Sequence, residues 1–270
     1  LRWSGSGRTD VVRLTFAWDV ASGWGRFSLE RPEEATVQSV DVPSPQPLSA
    51  FDLREVMLAK GAREVSKDLV FAALSTDIEP IGPSPTLALN TSVATPWGYQ
   101  AIHKLRRGDL VTTQNSGAVP VLNRIERTVP ALGSFRPIRL RAPYFGLLQD
   151  VIAAPDQRLI MRGTEVEYNF GKEAVLVPAR HLLNGHAAQY EPSGSLVTYT
   201  QVLLPAHEEI LAAGSPVESL YIGRLRRKAD DLAASLLAGL DRSMLPEHGK
   251  PVHPVLRAFE AVTLVDQRAA

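Results

Sequence analysis

The chain has 270 residues, and its 29 Lys+Arg are balanced by 29 Asp+Glu, so the formal net charge is zero. That balance argues against a nucleic-acid partner, which would need an excess of Lys and Arg to neutralise phosphates. With no Cys, a disulfide scaffold, thiolate metal ligation and a cysteine nucleophile are all excluded within this sequence, and no apolar run reaches the roughly 18 residues of a membrane helix.

Residues 11–18 (VVRLTFAW) and 24–30 (WGRFSLE), joined by Ser22-Gly23, are rich in β-branched and aromatic side chains. They predict a β-hairpin. Residues 36–42 predict a third strand, ended by the prolines of 43–47, which cannot donate to a ladder. Phe51, Leu53, Val56, Met57 and Ala59 recur at helical spacing and predict a helix over 49–60, with Gly61 as its C-cap. Residues 68–74 (DLVFAAL) fit a strand or a short helix equally well. Pro80, Pro83 and Pro85 with Gly82 mark a linker.

From residue 86 to about 221 many short apolar segments alternate with turns, at 92–95, 110–113, 119–125, 138–140, 151–154, 158–161, 175–177, 197–199 and 202–204. Such spacing predicts an all-β domain. Residues 224–240 carry Leu225, Ala229, Leu232, Ala233, Leu236, Leu237 and Leu240 on one stripe and predict a long amphipathic helix. Residues 256–265 predict a closing strand or a docked tail. The expected fold is mainly β. An N-terminal β-meander with one helix (1–80) leads through a Pro-rich linker (81–85) to an all-β domain (86–222) and a C-terminal amphipathic helix and tail (223–270).

Several polar clusters invite a chemical reading. His207-Glu208-Glu209 supplies either a base or ligand, or a histidine at a strand end beside two solvated carboxylates. His181 with His186, and His248 with His253, lie in turn-rich segments where loop histidines are the simpler account, and no HExxH spacing occurs. No metal or other cofactor is expected. Trp3, Trp18 and Trp24, interleaved with Arg8, Arg13 and Arg26, form either the core of a small sheet or a stacking surface for a ligand. The basic run 224–228 opens the expected long helix, where it opposes the helix dipole; it marks a solvated face or a partner surface.

One stretch carries a family resemblance. Thr86-Leu87-Ala88-Leu89-Asn90-Thr91-Ser92-Val93-Ala94-Thr95-Pro96, then Gly98, then Leu105-Arg106-Arg107-Gly108-Asp109-Leu110-Val111 resembles the opening of the Hint module of Hedgehog autoprocessing domains and inteins, in its bacterial, alphaproteobacterial form. Further on, 151–159 (VIAAPDQRL), 176–182, Tyr199, 206–214 (AHEEILAAG) and Glu218-Ser219 continue it. The resemblance implies a Hint fold and an acyl shift. In that reaction a Cys or Ser at the first position attacks the preceding carbonyl, a His serves as general acid or base, and a Thr orients the bond.

Carried over, the nucleophile position is Thr86, the orienting Thr position is Ala154 and the His position is Gln157. A Thr hydroxyl needs an adjacent base, Ala154 has no hydroxyl, and a Gln amide does not titrate near neutrality. The expectation is therefore a Hint-like domain without self-cleavage, in a structural or protein-interaction role through a protein partner or self-assembly, in a secreted or phage-like particle rather than the cytoplasm. The alternatives are a self-processing enzyme cleaving Pro85–Thr86, with His207 or His103 as base, and a ligand-binding module using the Trp-rich N-terminal unit.

Overall fold

A computed structural model describes residues 11–32, 34–58, 64–192 and 194–269. The chain divides into two compact units, Leu1–Ile81 and Gly82–Ala270. Trp3, Arg8 and the expected C-cap Gly61 lie outside the described residues.

In the first unit, β1 (Arg13–Asp19), β2 (Trp24–Arg31) and β3 (Thr36–Asp41) form an antiparallel meander with β2 in the centre. The hairpin closes where expected. Gly23 takes the positive φ of the turn, and the Asp19 carboxylate accepts from the Ala21 amide at 3.0 Å and from the Ser22 hydroxyl at 2.9 Å. Helix α1 (Ala50–Leu58) starts in a reciprocal cap: the Asp52 amide donates to Ser49 Oγ at 3.1 Å, and the Ser49 amide donates to the Asp52 carboxylate at 3.0 Å. That pairing satisfies backbone donors otherwise orphaned at a helix start. Residues 68–74 form neither strand nor helix, and all but Phe71 are exposed. Their apolar run has no alternation or helical period to direct burial.

The register also separates two of the tryptophans. Trp18 pairs with Gly25 and Trp24 with Asp19, so strand alternation puts Trp18 and Trp24 on opposite faces. Trp18 stacks on Phe16, with ring centroids 5.1 Å apart, while Trp24 lies under Arg26. They do not build one stacking surface.

The second unit is mainly β. It begins with β4 (Leu87–Ala88), β5 (Ser92–Thr95), β6 (Gly98–Ala101), β7 (Leu110–Thr113), β8 (Gly117–Pro120) and β9 (Asn123–Pro130). There follow β10 (Ile138–Leu140), β11 (Val151–Ala153), β12 (Arg158–Arg162), α2 (Thr164–Phe170) and β13 (Ala174–Pro178). The last strands are β14 (Ala188–Tyr190), β15 (Leu196–Leu203), β16 (Glu209–Ala212) and β17 (Ser215–Glu218). One sheet runs β14-β10-β11-β4-β15-β9, the other β13-β12-β17-β16-β5-β6, with β7 and β8 branching from β16. The two strands expected at 197–199 and 202–204 are one. β15 pairs residue by residue with all of β9, from Leu196–Pro130 to Leu203–Asn123, and that continuous ladder carries the chain through the polar Thr200-Gln201 step.

The main core gathers Leu87, Val93, Ile102, Leu105, Ile138, Leu159, Val177 and Ile210 from both sheets. A C-terminal helix packs on it, but at α4 (Ala258–Ala269), through Ala261 and Leu264. Residues 224–240 form instead a 3-10 turn at Leu225–Arg227, the five-residue α3 (Ala229–Ala233) and further turns. Ser235 stops the helix: its hydroxyl donates to the Leu232 carbonyl at 2.8 Å and accepts from the Leu237 amide at 3.1 Å, the local competition that makes serine a helix breaker. The leucine stripe is still used, because Leu225, Leu232 and Leu237 are buried against Ile125, Leu203 and Leu220.

Candidate functional site

Thr86 stands at the entrance to β4, the two-residue strand held between β11 and β15. Its carbonyl accepts the Ala154 amide at 2.7 Å, so the end of β11 is fastened to it. The chain then turns at Pro155, with the Gln157 amide donating to the Ala154 carbonyl at 3.0 Å, and the Gln157 carbonyl accepts the Ala179 amide at 2.7 Å. This clamped turn delivers the Gln157 side chain to Thr86. The Thr86 hydroxyl donates to Gln157 Oε1 at 2.7 Å, and Gln157 Nε2 donates to the Arg158 carbonyl at 2.9 Å.

Three positions named from the sequence are thus brought together. Gln157 is fully buried, and Ala154 is buried in a small apolar cluster with Val129 and Tyr199. Burial also pushes the Tyr199 phenol well above its ordinary range; its hydroxyl donates to the Phe135 carbonyl at 2.8 Å. The amide oxygen that accepts from the Thr86 hydroxyl is not basic.

Behind Gln157 the polar network continues to Glu218 and His207 through Gln201 and Arg158, two residues that local reading did not single out. Gln201 of β15 donates from Nε2 to the Glu218 carbonyl at 2.8 Å and lies 3.4 Å from Gln157 Oε1. The Glu218 carboxylate pairs with Arg158 at 3.2 Å, both side chains being under a tenth exposed. The same oxygen lies 3.3 Å from His207 Nε2. A lone Gln inside the apolar stretch of β15 and a lone Arg opening β12 are the sequence signals for this network, since an unpaired polar group buried there is costly.

His207 is not at the Thr86 hydroxyl. Its Nδ1 accepts the Val252 amide at 2.9 Å, which fixes the proton on Nε2, facing Glu218. His103 is committed elsewhere too, its Nδ1 bonding the Leu89 carbonyl at 2.6 Å.

The expectation of solvated carboxylates beside His207 is corrected, because His207, Glu208 and Glu209 are all buried. Glu208 accepts from the Ser116 hydroxyl at 2.7 Å. Glu209, completely buried, accepts from Arg162 at 2.5 Å and 2.6 Å and pairs with His253. Burial alone would raise the Glu209 pKa, but these donors outweigh it and hold the carboxyl below its usual range.

His248 is also a buried residue rather than an open-loop histidine. It accepts from the Ile222 amide and bonds the Leu204 carbonyl, and burial depresses its pKa to about 4. The basic run 224–228 is largely paired: Arg227 grips Glu247 through contacts of 2.6–3.1 Å and Lys228 meets Asp231. Among the described residues, no three His, Asp or Glu side chains stand together as a metal-holding group, and no helix is long and apolar enough to cross a membrane.

With a first strand locked between β11 and β15 and its leading residue bonded to the turn after β11, the class is defined. The Hint domain family matches residues 85–224, and the chain belongs to it. Solved structures similar to it include a bacterial intein-like domain from Clostridium thermocellum, at 13% identity and TM-score 0.37, covering 50% of this chain and 98% of that one. Another is the MchDnaB-1 intein, at 15% identity and TM-score 0.32, covering 48% of this chain and 98% of that one. No curated protein matches the chain.

Proposed function

We propose that this Hint module does not cleave itself and that the protein works as a non-catalytic scaffold which binds a protein partner or further copies of itself. The observation that carries the proposal is the 2.7 Å bond from the Thr86 hydroxyl to Gln157 Oε1. An N-to-O shift would form an ester between Thr86 Oγ1 and the Pro85 carbonyl carbon and break the Pro85–Thr86 amide. It must take a proton from Oγ1 and deliver one to the Thr86 nitrogen. Gln157 can do neither, and losing a general acid–base group costs about 10²–10⁴-fold. Ala154 supplies no hydroxyl to orient the bond, and the histidines named as substitute bases bond Val252 and Leu89.

The interaction role is supported by the first unit, where Leu14, Phe16 and Val40 share one exposed sheet face and α1 exposes Phe51, Val56 and Leu58. Apolar side chains exposed together on one sheet face are characteristic of contact sites.

Hydroxylamine trapping followed by intact-mass analysis tests the proposal. The expected outcome is an unchanged full-length mass. Cleavage between Pro85 and Thr86 that disappears in Thr86→Ala would overturn it. For the interaction role, light scattering after size-exclusion should show self-association that Phe16→Ser weakens. A strict monomer that retains no partner protein would count against it.

A further inference from the structure

An open cleft of about 590 Å³ is lined by Gln100, His103, Lys104, Arg106, Asp109 and Arg124, and by none of Thr86, Gln157 and His207. Its size falls within the range of small-molecule sites, about 300–1,000 Å³. Three permanent cations face one carboxylate in its wall. Among the described residues no carboxylate pairs with Lys104 or Arg106, whereas Arg124 shares its charge with Glu126.

The wall is also held in place. Arg124 Nε donates to the Leu105 carbonyl at 3.1 Å, so its guanidinium is set rather than free. The Asp109 carboxylate accepts the Arg106 amide at 2.7 Å, which fixes the turn that carries Arg106. His103 gives its Nδ1 proton to the Leu89 carbonyl, leaving Nε2 uncommitted.

The geometry points to a binding site for a small phosphate monoester. Lys104, Arg106 and Arg124 meet the phosphate, as guanidinium and ammonium groups do through charge-assisted hydrogen bonds. The Gln100 amide and the remaining acceptor capacity of Asp109 take hydroxyl groups on the rest of the ligand. These contacts at Gln100 and Asp109 come in addition to those of the phosphate itself, so an ester is favoured over the free ion. The site shares no residue with the Thr86 cluster and does not depend on the absence of self-cleavage.

Calorimetric titration of the full chain with glycerol 3-phosphate, inorganic phosphate and glycerol tests this. Saturable binding of glycerol 3-phosphate is expected, weaker binding of inorganic phosphate, and none of glycerol. Replacing Lys104 and Arg106 together by Ala should weaken the ester by at least about tenfold, since charge-assisted hydrogen bonds are lost. Both residues are exposed, so the variant should keep its melting temperature. Arg107→Ala removes an exposed neighbouring charge outside the cavity and should leave affinity unchanged. Absence of saturable binding, equal affinity for inorganic phosphate, or equal losses in Arg107→Ala and the double variant would each overturn the assignment.

Discussion

Thr86 shows how one contact decides what a hydroxyl can do. A threonine beside a base would be a nucleophile; bonded to a glutamine it is a structural link between β4 and the turn after β11. The same economy governs the charges behind it. Glu218 holds Arg158 and faces His207 in a nearly closed setting, so its removal takes a carboxylate away from a buried guanidinium. Glu218→Ala should lower unfolding stability by about 3–5 kcal/mol, read by denaturant titration, whereas Glu218→Gln should lose less because an acceptor remains. A loss below about 1 kcal/mol for Glu218→Ala would mean that water replaces the carboxylate and that the network is not closed. Much of this was hidden from local reading. Thr86, Ala154 and Gln157 are named by the order of family motifs, whereas the solvated reading of the acids at 208 and 209 fails because their partners stand far off in sequence. Glu208 meets Ser116, and Glu209 meets Arg162 and His253. Burial of a charge is settled by such distant partners, and no local pattern records them.

At the scale of elements, the β16–β17 hairpin packs closely on residues 146–148. Ala213 and Gly214 both take positive φ, and a Cβ on Gly214 would meet the Leu148 side chain at 2.7 Å and the Gly146 carbonyl at 2.9 Å. Gly214→Ala should therefore cost about 1–3 kcal/mol, from strain and overpacking together, and lower the melting temperature accordingly. The segment following residue 240 is pinned by imidazoles as well as by a short parallel bridge, in which the Leu176 amide donates to the Pro254 carbonyl and the Leu256 amide to the Leu176 carbonyl. His248 bonds Leu204 and Ile222 and lies near the rings of His207 and Tyr221. Burial, opposed in part by the Leu204 carbonyl and reinforced by His207, lowers its pKa from 6.5 to about 4. The unfolded ring then binds a proton at a higher pH than the folded ring does. Its contribution to stability is complete above about pH 6.5 and is lost as the pH falls towards 4, by at most about 3 kcal/mol. Melting curves across that window should fall steeply in the native protein and less steeply in His248→Gln; equal slopes would contradict the assignment. The hairpin of β1 and β2 was legible because Ser22-Gly23 has the chemistry of a turn. Residues 224–240 were not, because a leucine stripe packs as well along successive turns as along a helix, and the hydrogen bonds of Ser235 decide between them.

At the scale of the whole molecule, two compact units share one chain. The Hint unit buries a large two-sheet core, and the first unit exposes Phe16, Phe51 and Leu58. The mainly β fold was legible from the rhythm of short strands and turns. The place of the C-terminal helix was not, because its docking rests on Ala261 and Leu264 reaching a core assembled from distant strands. On the proposed function, this Hint domain keeps its fold without self-cleavage because of the residues at three positions. Thr86→Cys, Ala154→Thr and Gln157→His combined should restore cleavage at the bond preceding residue 86, in a chain that otherwise folds as before. The most direct measurement is the intact mass of the purified native protein after prolonged incubation, read beside that triple variant. The expected result is a single full-length mass for the native chain and two fragments for the variant. Fragments from the native chain, split between Pro85 and Thr86, would contradict the account.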